Sequence, residues 1–179
     1  MKKYFTLTLW VILLWTTPNV NAQPFTVFAT GFSNLIGISK DSGGNLWVAE
    51  AGSGVNDSRI SMITPSAVVY PVVTDLPSFL DTLSGEVSGA WRAEMINSAT
   101  LMVVVGGGID TNAGSIMFFD VSTFIPGTSL PLTALDADSI LHVSDFMYGN
   151  GFNDSNPFSA AIGTNGNIYV ADAGANAIA

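Results

Sequence analysis

The side chains best equipped to hold a ligand are carboxylates and amides, and they recur at a fixed interval. Glu50 and Asp172 stand 122 residues apart, as do Asn34 and Asn156, and Asn176 follows the second carboxylate. Hard oxygen donors of this kind would suit a divalent cation such as Ca²⁺ if they converged. Glu50, Asn156, Asp172 and Asn176 are therefore the candidate ligand-binding residues. The same residue types also brace turns by accepting backbone N–H bonds, and a residue repeated in every unit of an array favours that architectural role.

Other chemistries are poorly supplied. His142 is the only histidine and there is no cysteine, so the ordinary ligand set of a zinc site is missing. A Ser-His-Asp hydrolase would need a placed partner for His142, and no Gly-x-Ser-x-Gly elbow is present. Asp136-Ala137-Asp138 opens like a calcium loop but lacks the glycine at its sixth position and the glutamate at its twelfth, so it reads as a turn. Gly106-Gly107-Gly108 has neither the lysine nor the helix of a phosphate loop and reads as a chain reversal. Arg92, beside Trp91, reads as a surface side chain.

The elements that must carry these residues are short β runs. Val, Ile, Phe, Tyr and Trp cluster between Gly, Asn, Asp, Ser and Pro, which predicts strands over 25–30, 46–50, 59–64, 67–73, 90–95, 101–106, 115–121, 140–146, 158–162 and 168–172. No stretch after residue 22 has a sustained 3.6-residue apolar period, so long helices are not expected; one helical turn fits 78–84.

An internal repeat organises these runs. Gly44-Asn45-Leu46-Trp47-Val48-Ala49-Glu50-Ala51-Gly52 matches Gly166-Asn167-Ile168-Tyr169-Val170-Ala171-Asp172-Ala173-Gly174 at every position by identity or close similarity. The interval is about three times the ~40 residues of one propeller blade. The preceding Gly- and Asn-rich turn reverses the chain. The apolar run is then a strand covered on both faces, with Trp47, Trp91, Tyr169 and the Phe118-Phe119 pair as packing between units. This predicts an all-β propeller domain over 23–179. Its first blade would be completed by 59–64 and 67–73, its second would span 86–106 and 115–121, and 133–146 would lead into a third. Closed propellers need about four to eight blades and the chain supplies about three, so the expectation is a partial domain truncated at its carboxy end.

Residues 1–22 have the layout of a secretory signal peptide: Lys2-Lys3, an apolar run over 7–15, and Val20-Asn21-Ala22 before Gln23. The apolar run is about half the ~20 residues that span a bilayer, so the expectation is a secreted, periplasmic or extracellular protein without a membrane span. From Gln23 onward three bases face fourteen carboxylates, a formal charge of −11 that disfavours nucleic acid and anionic membranes as partners. Asn56-Asp57-Ser58 and Asn153-Asp154-Ser155 match the glycosylation sequon, a short pattern that arises readily by chance.

The second repeat copy, extended by Ala175-Asn176, resembles the NHL pattern, departing from it at Ala177, where many such repeats carry Arg. More widely, the chain resembles the ScyD/ScyE family of exported propeller proteins. The resemblance lies in Gly31-Phe32-Ser33-Asn34-Leu35-Ile36-Gly37, the first repeat copy, Asp75-Leu76-Pro77-Ser78, and Ser155-Asn156-Pro157-Phe158 leading to the second copy. It implies a six-bladed NHL-like β-propeller outside the cytoplasm. Phe146-Met147-Tyr148-Gly149-Asn150 departs from the acidic stretch usual there. The expected function is binding or scaffolding of a small molecule or protein, without catalysis. The alternative is a metal-dependent lactone hydrolase or lyase of the gluconolactonase or streptogramin-lyase type, which would require non-equivalent acids and amides converging on one channel.

Overall fold

A computed structural model describes residues 25–179; the signal-peptide expectation for 1–22 lies outside them. The described residues are all-β apart from one short α-helix and a single 3₁₀ turn. Three sheets, antiparallel but for one short strand, open one after another along the sequence. The first contains β1 (Leu35–Lys40), β2 (Leu46–Glu50), β3 (Ser58–Ile63) and β4 (Val69–Leu76) as neighbours in chain order. A small hairpin, β5 (Phe79–Leu80) with β6 (Val87–Ser88), leads to β7 (Ala90–Met95), β8 (Thr100–Val105) and β9 (Ser115–Asp120) of the second sheet. The chain then adds β10 (Leu132–Thr133) parallel to β4, in the first sheet, and returns to the second as β11 (Ser139–His142) beside β9. Helix α1 (Val143–Gly149) precedes the third sheet, β12 (Pro157–Ile162), β13 (Ile168–Asp172) and β14 (Ala177–Ile178).

The opening hairpin of each sheet has one design. Leu35 pairs with Glu50 and Gly37 with Ala49, leaving Ile36 as an extra residue. Ala90 pairs with Val105 and Arg92 with Val104, leaving Trp91. Pro157 pairs with Asp172 and Ser159 with Ala171, leaving Phe158. Each extra residue is a β-bulge, which bends its strand and re-aims a side chain. The closing backbone bonds coincide as well: the N–H groups of Ala51, Gly106 and Ala173 donate to the carbonyls of Asn34, Gly89 and Asn156 at 3.0, 2.8 and 2.9 Å. The two repeat copies thus occupy equivalent strands. The β7–β8 hairpin between them has the same bulged pairing, with Val105 at the end position that the carboxylates take in the other two.

Strand β8 shows why its apolar run is continuous. Leu101, Val103 and Val105 join Trp47, Ala49, Ile60 and Phe119 in a core shared with the first sheet. Met102 and Val104 turn the other way, to Ala160, Val170 and, from α1, Val143 and Met147. Successive side chains leave opposite faces of a strand, so a sheet covered on both sides must be apolar at every step. Glycine permits the close approach of neighbours: a Cβ on Gly89 would collide with the Ala51 backbone.

Several expectations are corrected. Residues 25–30 form no strand, and the first strand among the described residues is β1. The run 140–146 is divided between β11 and α1, and β11 completes the second sheet rather than leading into the third. Residues 78–84 contain β5 and a turn, not a helical turn. Asp136 lies in a 3₁₀ turn (Ala134–Asp136) and accepts from Thr133 N at 2.8 Å, in keeping with a turn. No helix among the described residues is long and apolar enough to cross a membrane.

Candidate ligand-binding cavity

Glu50 and Asp172 are both buried at the ends of equivalent strands, and both tie down the loop before their sheet. Glu50 accepts from the backbone N–H of Ser33 at 2.7 Å, from Arg59 Nε at 2.8 Å and from Ser61 Oγ at 2.7 Å. Asp172, one methylene shorter, accepts from the backbone N–H of Asn156 at 2.7 Å, from that of Ala175 at 3.0 Å and from Ser155 Oγ at 2.5 Å. Buried charge persists only when it is paired or fully hydrogen-bonded, and both carboxylates meet that condition within the chain.

The middle sheet lacks this arrangement. Ser88 occupies the position of Ser33 and Ser155, but Val105 stands where the carboxylate would face it, and among the described residues the buried Ser88 Oγ has no hydrogen-bond partner. In the third sheet the equivalent hydroxyl, Ser155 Oγ, donates to Asp172, an acceptor that the middle sheet lacks.

Asn156 joins two sheets. Its Oδ1 accepts from Gly107 N at 2.8 Å and from Trp91 Nε1 at 3.2 Å, while its own N–H is held by Asp172. This chain of bonds runs from the third sheet to the indole of the second. Gly106 completes the seat, since a Cβ there would run into the Trp91 ring and Ser88 Oγ. Trp91 in turn lies 5.4 Å from Phe158, ring centre to ring centre, with the planes tilted by 33°. Tilted pairs at this separation are favoured by the aromatic quadrupole.

The two bulge aromatics face a cavity of about 740 Å³ between the second and third sheets, bordered by Glu86, Tyr148, Asp154 and Asn156. A neighbouring recess of about 390 Å³ is lined by Asn34, Ile36, Glu86 and Trp91. Ile36, Trp91 and Phe158, the three bulge residues, thus mark one groove, with Glu86 bordering both recesses. The larger space is an open cleft lined by polar and apolar groups in similar measure, and its volume falls in the 300–1,000 Å³ range of small-molecule sites.

The structure brings Asn156 and Asp172 into direct contact. Asp172 and Asn176 line a separate recess beside Phe158. Glu50 stands apart, bonded within the first sheet, and Asn34 uses its carbonyl to close the first hairpin. His142 is exposed at the end of β11. Among the described residues no group of three or more His, Cys, Asp or Glu is placed to share a metal ion. Sequence reasoning passed over Trp91 and Phe158 as site residues. Their signal was positional: each follows the first paired residue of its sheet, as Ile36 does. Comparison with known proteins finds no matching family model, curated protein or solved structure.

Proposed function

We propose that the chain is part of an exported, NHL-like β-propeller, six-bladed when complete and of the ScyD/ScyE kind, that serves as a binding or scaffold module without catalysing a reaction. The observation that carries this reading is the identical bulged hairpin opening each of three successive sheets. Each sheet has two faces to bury, and a neighbouring copy of the same unit supplies the cover. In a radial array, ligands gather where the inner strands end. The groove marked by Ile36, Trp91 and Phe158 is the site under this reading. Glu50 and Asp172 act at a distance from the ligand, holding the loops that shape it, while Asn156 positions the Trp91 indole.

Spin labels test the architecture and an aromatic fragment panel tests the site. The chain has no cysteine, so cysteines introduced pairwise at Ser42, Asn97 and Thr164, which are equivalent and exposed turn positions, would carry the only labels. Sixfold radial order predicts a 42–164 separation about 1.7 times either adjacent one, against about 2 for a straight stack. In ligand-observed NMR, fragments bind the parent protein and lose binding in Trp91→Ala. A straight-stack ratio, or fragment binding indifferent to Trp91, would refute the corresponding half of the proposal.

A further inference from the structure

We infer that the cavity between the second and third sheets takes an organic cation, a quaternary or protonated amine. This rests on the reading of that cavity as the ligand site. Its lining includes the aromatic residues Trp91, Phe158 and Tyr148 and the acidic residues Asp81, Glu86 and Asp154. Among the described residues no lysine or arginine lines it. The bases from Gln23 onward are placed elsewhere: Arg59 pairs with Glu50, Arg92 with Glu94, and Lys40 ends β1.

The three border carboxylates are not alike. Asp81 is committed to its own turn, accepting from Leu83 N and Ser84 Oγ at 2.8 Å each. Among the described residues, no hydrogen bond engages the carboxylates of Glu86 and Asp154, which are exposed and available to a guest. A cation gains from aromatic faces within about 6 Å, most from an indole, and the bond from Trp91 Nε1 to Asn156 fixes the orientation of that ring. An anion would meet three like charges and no counter-charge. A neutral guest would use the rings but not the carboxylates, so the cavity distinguishes guests by charge.

The test is calorimetric titration of the full chain with choline and with its uncharged counterpart of the same shape, 3,3-dimethylbutan-1-ol. Choline should bind at least tenfold more tightly. Exchanging both free carboxylates, Glu86→Gln with Asp154→Asn, should weaken choline about tenfold and leave the alcohol unchanged; both residues are exposed, so the core is untouched. Trp91→Leu should abolish binding of both. Equal binding of the two compounds, lost together in Trp91→Leu, would overturn the charge preference while leaving the cavity as a ligand site. Failure of choline to bind would overturn the inference outright, and the aromatic fragments would then report separately on the cavity.

Discussion

Trp47 and Tyr169 occupy the same place in two copies of one hairpin, yet they live in different surroundings. Trp47 is 4% exposed and Tyr169 is 44% exposed. Trp47 packs into the core shared by the first and second sheets, with its Nε1 donating to Asp41 at 3.0 Å. Tyr169 is anchored only at its rim, where Asn165 Nδ2 donates to its hydroxyl at 3.2 Å. The matching registers show that local sequence sets the hairpin. What covers the hairpin is set by its neighbour.

The largest effect should separate these two residues. Trp47→Ala should cost about 4 kcal/mol, as for a buried aromatic, whereas Tyr169→Ala should cost under about 1 kcal/mol, as at a surface position. Denaturant titration of both variants would measure the gap, and equal losses would break the comparison. A sharper contrast lies within β8. Val103→Asp places a carboxylate in apolar surroundings and should cost about 4 kcal/mol. Val105→Asp puts it where Glu50 and Asp172 stand in the other sheets, within the seat of the unpartnered Ser88 hydroxyl, and should cost about 2 kcal/mol less. Equal costs would mean that the middle sheet has lost the architecture of the seat as well as its acid.

The smallest effect concerns the loops after β2 and β13. Asp172 itself ties the second of these through Ala175 N, whereas the first depends on Asp57. Burial works to raise the Asp57 pKa, but hydrogen bonds from Ser53, Ser78 and Val55 hold it down at about 2. A depressed carboxylate pKa contributes stability that is present above the unfolded value of about 3.9 and lost as pH falls through the folded value. Melting temperature followed between pH 5 and pH 2 should therefore show an acid-side decline that Asp57→Asn makes smaller, the hydrogen-bonded carboxylates of Asp41, Asp81, Asp120 and Asp136 supplying the rest. An unchanged decline in that variant would assign it to other carboxylates.

The legible parts of the fold were those written in one local pattern. Residues 46–50 and 168–172 announce themselves because glycine turn, apolar run and acid occur together. The middle hairpin was hidden because Val105 replaces the acid and Thr100 the asparagine, although backbone pairing is indifferent to both changes. Strand β1 was missed because Gly37 and the bulge at Ile36 interrupt its alternation. The run 25–30 is rich in β-formers but finds no pairing partner among the described residues, and propensity alone does not make a strand. Helix α1 buries only Val143 and Met147, one turn apart, too little for a period to show. The candidate site was only half legible for a related reason. Asn156 and Asp172 stood out by repetition, whereas Trp91 and Phe158 matter because they differ from Ile36 at a shared position.

The extra residue in each opening strand has a consequence for how such a protein could acquire new preferences. A side chain carried on a bulge is released from the strict in-and-out order of its sheet, and Ile, Trp and Phe are tolerated there with the flanking registers unchanged. The three positions behave as interchangeable sockets: the side chain facing the groove can change one socket at a time, while the ladders behind it carry on undisturbed.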